Sequence, residues 1–115
     1  MTAGDAERLA RAQQAFRDIS ASALRSNEGR VEALAQALDA VERGSQSDDE
    51  RAAAAAVAHQ LVGSAGTFGY AHVSRLARRL ERFLDGDRSD LAGLEAAREA
   101  LAVIRRDLHC RPDDE

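Results

Sequence analysis

The sequence predicts an all-α fold, an antiparallel four-helix bundle with an extra or extended N-terminal helix. Three observations predict it. Apolar residues recur at three- and four-residue steps in each long segment, the period of a helix with one buried face. The single proline stands at position 112, so nothing interrupts a helix before the tail. Turn-forming residues gather at 44–50, 66–69 and 85–89 and cut the chain into bundle-sized pieces.

Residues 5–27 carry Leu9, Ala12, Phe16, Ile19 and Ala23 at helical spacing, with Arg8, Arg11, Arg17 and Asp18 on the other side. The apolar stripe is read as a core face. Residues 26–29 can break this helix, with Asn27 capping the next one. The pattern resumes at Val31, Leu34, Ala35, Leu38 and Val41. Two helices, or one long helix bent near Gly29, both satisfy it. The apolar phase slips by about one residue there, which favours a bend or break.

Residues 44–50 form a loop. Gly44 fits a helix C-terminus, and Ser47 with Glu50 makes a capping box for the next helix. That helix spans about 48–65. At roughly 100° per residue, Ala54, Val57, Ala58, Leu61 and Ala65 share its buried side. His59 points outward with Ala55, Ala56, Val62, Gly63 and Gly66 around it. All are small or short. Gly63, one turn on, costs about 1 kcal/mol relative to alanine inside a helix, which suits a place that another surface approaches closely.

The turn at 66–69 is short and favours antiparallel neighbours. Phe68 is expected as a buried plug beneath it and Tyr70 as partly buried. The helix at about 70–84 turns Val73, Leu76, Ala77, Leu80, Phe83 and Leu84 inward. Glu81 lies beside that set, while Arg75, Arg79 and Arg82 follow an outer stripe. Asp87 or Ser89 is expected to cap the last helix. Its core stripe is Leu91, Leu94, Ala97, Leu101, Ile104 and Leu108. Residues from about 110 to 115 are expected to fray.

Composition bounds the function. A chain of 115 residues suits one domain, 1–115, with one core. Its 44% apolar and 31% charged residues suit a globular fold. The net charge of −4 offers no general attraction to nucleic acid. Apart from three histidines, every basic residue is arginine, which reads as a GC-rich genome rather than as chemistry. The single Cys110 excludes an internal disulfide and suits a reducing cytosol. No apolar run approaches the roughly 18 residues of a membrane span, and the N-terminus has no signal-peptide core. A cytoplasmic monomer is the expectation.

The chemistry centres on Ala58-His59-Gln60-Leu61-Val62-Gly63-Ser64-Ala65, followed by Gly66-Thr67-Phe68-Gly69-Tyr70 and later by Leu80-Glu81. If the two central helices are antiparallel, His59 and Glu81 sit at similar heights. A carboxylate that accepts the Nδ1 proton fixes the ring and leaves Nε2 as a nucleophile. Taken without a partner, His59 is a solvated surface residue, and Glu81 is a surface ion pair with Arg78 or Arg82, worth little.

These residues, at this spacing, resemble the histidine phosphotransfer (HPt) domain family, and the 65–70 run is most similar to HPt domains of chemotaxis-type histidine kinases. The resemblance implies a phosphocarrier in a two-component phosphorelay rather than an autonomous enzyme. His59 would accept a phosphoryl group and exchange it with an aspartate of a response regulator receiver domain. A sensor histidine kinase would be the other partner. It implies no cofactor of the chain's own, with Mg²⁺ and most catalytic groups supplied by the receiver. Glu81 would orient His59, and Val62, Gly63, Ser64, Arg78 and Arg82 would form the docking face. Ser64 would bond near the ring or back into its own helix. One position departs from the family: its lysine three residues after the histidine is Val62 here. Arg78, or else Arg75 or Arg82, is positioned to replace that cation from the facing helix. Alternatively these arginines are a solvated face.

Three other readings share parts of this pattern. A kinase phosphoacceptor hairpin has an acid after its histidine and a proline nearby, and this chain has neither. A non-phosphorylated adaptor or inhibitor would bind a kinase or receiver through the same face. A metal site would need paired ligands, but His59, His72 and His109 stand apart.

Overall fold

The structure is a computed structural model that describes residues 2–86 and 90–112. Among these residues the chain forms four helices and no strand: α1 (Ala3–Arg43), α2 (Asp48–Thr67), α3 (Ala71–Asp85) and α4 (Leu91–Asp107). Each helix touches two neighbours, in the ring α1–α2–α3–α4. Cross-helix contacts show α1 to be antiparallel to both α2 and α4, and the pairs His59–Glu81 and Val62–Ser74 show the same for α2 and α3. Arg30 meets Gln60 while Asn27 meets Ser64, and Arg98 meets Asp39 and Glu42 while Arg105 meets Glu32.

Local chemistry sets the helix ends. Thr2 and Asp5 form a capping box at α1, and the Thr2 hydroxyl and backbone N–H, with Arg8, hold the Asp5 carboxyl below its usual range. Gly44 closes α1 with φ +68°, a left-handed conformation that suits glycine. Ser47 and Glu50 form the expected capping box at α2. Helix α2 runs through Gly66, two residues beyond the predicted end, and stops where Gly69 turns left-handed at φ +86°. The Tyr70 N–H then bonds to the Ala65 carbonyl and the Gly69 N–H to that of Gly66, as a Schellman ending requires. Asp90 caps α4 by accepting from the Ala92 N–H. The caps expected there, Asp87 and Ser89, lie outside the described residues.

The core is aliphatic. Leu34, Leu38, Leu61, Leu80, Leu84, Ile104 and Val73 are the largest fully buried side chains. Alanines 54, 58, 65, 77 and 97 sit between them and allow close helix approach.

Helix α1 corrects the sequence reading. It is a single 41-residue helix that continues through Gly29. Asn27 is no cap: it is buried inside the helix, donates from Nδ2 to Ser64 Oγ at 3.1 Å, and accepts at Oδ1 from Arg30 at 2.7 Å. At about 1.5 Å per residue the helix accounts for the molecule's 62 Å length, against 25 and 17 Å in the other directions. The radius of gyration is 17.2 Å, where a compact domain near this size has about 13 Å. The N-terminal half therefore projects beyond the bundle. Its stripe is not core: Leu9 is 49% exposed, Phe16 63% and Ile19 57%, and Ala12 is exposed. Leu91, also expected inward, is exposed because it opens α4 at the bundle's end. Phe68 is half-buried and meets the Phe16 ring at 6.4 Å between centroids.

Gly29 has no neighbour within 4 Å of the place where a Cβ would stand. Gly29→Ala is therefore expected to raise the unfolding free energy by roughly 0.5–1 kcal/mol. Urea unfolding measures it. An unchanged or lowered midpoint would mean that α1 bends at Gly29 in solution.

Candidate functional site

Helix α2 places His59 on the side turned away from the core. Ala54, Ala58, Leu61 and Ala65 are buried as expected, and the His59 side chain is 74% exposed. Ala55, expected outward, is buried, because it lies at the edge of the helix that faces its neighbour, and Val57 is only half-buried. Val62 is half-buried, and Gly63 is exposed with open space where a side chain would go. One turn after the imidazole, the surface is bare backbone.

Helix α3 supplies the partner. His59 Nδ1 lies 3.0 Å from Glu81 Oε2. An ionised carboxylate only accepts, so Nδ1 is the donor in this bond, and in the neutral ring the lone pair is then on Nε2. The Glu81 side chain is only 25% exposed, which leaves it less freedom than a surface carboxylate. It pairs with the histidine, while Arg78 and Arg82 make no ion pair with a described residue.

A second contact fixes the register of the two helices. Ser74 Oγ donates to the Val62 carbonyl at 2.8 Å and lies 3.6 Å from where a Gly66 Cβ would stand. Ser74, Arg78 and Glu81 share one stripe of α3 at i, i+4 and i+7. Glu81 is level with His59 and Ser74 is near Val62 and Gly66, so Arg78 comes level with Val62. It is exposed there. Arg82 is exposed as well, next along the chain from Glu81.

Ser64 stands apart from the ring. Its hydroxyl accepts from Asn27 Nδ2 across the α1–α2 seam, rather than bonding back into α2. Gln60 accepts from Arg30 Nε at 3.5 Å. The sequence reading took Asn27 for a cap and missed Arg30; together they brace the helix beside His59. The only signal for them was a polar pair where the apolar phase of α1 slips.

The chain holds two further histidines. His72 Nε2 is 3.8 Å from Asp107 Oδ2, too long for a hydrogen bond, and His109 is exposed past the end of α4. Among the described residues no group of three His, Cys, Asp or Glu side chains is placed to hold a metal ion, and no helix is long and apolar enough to cross a membrane.

Comparison with curated proteins finds no match, and comparison with solved structures finds none either. Comparison with protein families finds one: the Hpt domain matches residues 5–109, nearly the whole chain, and takes in α2, α3, α4 and all but the first two residues of α1, with both His59 and Glu81. The chain belongs to the Hpt domain family, whose role is histidine phosphotransfer.

Proposed function

We propose that His59 is the phosphoacceptor of a phosphorelay. It exchanges the phosphoryl group with the aspartate of a response regulator receiver domain and is served by a sensor histidine kinase in the cytoplasm. One observation carries the reading: an exposed imidazole, held through Nδ1 by Glu81, stands beside a glycine platform.

The chemistry follows from that geometry. The Nε2 lone pair attacks the phosphorus of an aspartyl phosphate. The P–N bond forms as the P–O bond to the aspartate breaks, and the carboxylate leaves. The ring keeps its Nδ1 proton and becomes positively charged. Glu81, 3.0 Å away, stabilises that charge and holds the ring in line. The chain contributes the nucleophile and a docking face, and the receiver is expected to bring its own Mg²⁺.

Val62 contributes no cation to the phosphoryl oxygens. Arg78, level with it and without an ion pair among the described residues, would supply one instead. Arg82 and Gly63 extend the same face toward the partner.

The test is to incubate the chain with phosphoramidate and, separately, with a panel of phosphorylated receiver domains. A phosphoryl group that is acid-labile and alkali-stable is expected on the chain. Absence of label from every donor, or an acid-stable label, would refute the relay and leave an adaptor that only binds. In the same assay Arg78→Ala should slow transfer roughly tenfold, the worth of one charge-assisted contact. Adding Val62→Lys to that variant should restore the rate. An unchanged rate for Arg78→Ala would make that arginine a solvated surface residue.

A further inference from the structure

The projecting half of α1 carries a surface that the relay does not use. Leu9, Ala12, Phe16, Ile19 and Ala23 step by three, four, three and four residues. This is a 3.5-residue repeat, the spacing of a two-helix seam rather than of the wider stripe that faces a globular core. Among the described residues, only the inner end finds partners within the chain. Phe16 touches Phe68, and Phe16, Leu24, Phe68, Tyr70, Leu108 and Pro112 line a groove of about 390 Å³ where α1 leaves the bundle. Leu9 and Ile19 stand outside it, half-exposed or more. The residues flanking the seam are small or neutral, apart from Arg8, which is bonded to Asp5.

We infer that a second copy of this chain covers the seam, the two projecting halves lying antiparallel about a two-fold axis near Gln14. In that register Leu9 faces Ile19 of the other copy, and Ala12 faces Phe16. Each phenylalanine meets an alanine, so the layers fill evenly. A parallel pair would set Phe16 on Phe16 and Ala12 on Ala12, an overfilled layer beside an empty one. The antiparallel register also brings Gln13 opposite Gln13 and Arg8 opposite Ser22, so no like charges meet along the flanks. Leu9, Ala12, Phe16 and Ile19 match their own reverse, with Ala23 falling opposite the Asp5–Arg8 pair at the margin, and this singles out a second copy over an unrelated helix.

The arrangement is independent of the relay and compatible with it. His59 lies near the height of Arg30, whose guanidinium reaches Gln60. Sixteen residues separate Arg30 from the axis, so the two histidines stand about 48 Å apart at opposite ends of the pair. Both faces stay open. The dimer departs from the monomer expected when the stripe is read as core.

Sedimentation equilibrium of the whole chain from about 1 to 300 µM tests it. Dimerisation is expected within that concentration range. Phe16→Glu, at an exposed position, should keep the helical circular dichroism and remain monomeric throughout. A parent chain that stays monomeric at every concentration, or a Phe16→Glu variant that still dimerises, would overturn the proposal. Orientation is read by oxidation in a Cys110→Ser background. Leu9→Cys mixed with Ile19→Cys should form the mixed disulfide, whereas Leu9→Cys alone should not cross-link. A Leu9→Cys homodimer would mean a parallel pair and would equally overturn it.

Discussion

Replacing His59 by glutamine is expected to abolish phosphoryl acceptance completely while leaving the stability of the bundle almost unchanged. The ring is 74% exposed and contributes no core contact. Substitutions at such positions shift unfolding free energies by about 0.5 kcal/mol or less. The glutamine amide N–H₂ can donate to Glu81 Oε2 as Nδ1 does, so the half-buried carboxylate keeps a partner. An amide has no lone pair on nitrogen free to attack phosphorus, so the nucleophile is lost outright. The measurement is label incorporation from phosphoramidate and from phosphorylated receivers, paired with a thermal unfolding scan. The other histidines make it a strict test. His72 Nε2 has Asp107 Oδ2 at 3.8 Å, and His109 stands past the last helix. A variant that still takes acid-labile label would place the acceptor on one of them. A variant with a collapsed unfolding midpoint would show that the ring supports the fold, against its exposure.

Much of this was legible before any coordinates. The helices α2 to α4 follow from three- and four-residue apolar steps, and the end of α1 and the start of α2 follow from Gly44 and from Ser47 with Glu50, whose preferences are local. The His59–Glu81 pair was legible because a turn of a few residues leaves two helices little choice but to run antiparallel, which brings residues on either side of the turn to one height. What was lost concerns α1. Periodicity reports which face of a helix is apolar and says nothing about what covers it. The stripe of Leu9, Phe16 and Ile19 therefore read as core although it lies beyond the bundle. Gly29 and Asn27 have strong turn propensities, but tertiary contacts overrode them: Asn27 is tied to Ser64 and Arg30, and Gly29 carries the helix onward. The burial of Ala55 is not legible in the sequence, because a small side chain at the edge of the apolar face can be covered by a neighbour whose position periodicity does not contain.

Gly63 sets stability and function against each other, and Gly63→Leu is expected to expose the conflict. Nothing lies within 4 Å of the position a Cβ would take there, and the backbone is helical. Leucine favours a helix interior over glycine by nearly 1 kcal/mol, so the variant should unfold at or above the parent's midpoint. Its side chain, however, would lean toward the N-terminus of α2, as helical side chains do, and so toward His59 one turn away. An approaching receiver would be held off by the width of that side chain. In-line transfer tolerates little displacement, and an error near 1 Å can cost about 100-fold in rate. Transfer from a phosphorylated receiver should therefore fall by about that factor. Phosphoramidate, small enough to pass the leucine, should label the variant at close to the parent rate. Equal transfer from the receiver would show that the partner docks elsewhere on the bundle. Equal loss with both donors would show that leucine disturbs the imidazole itself rather than the docking face. Gly63→Ala should fall between, gaining the helix propensity while obstructing the partner by a single methyl group.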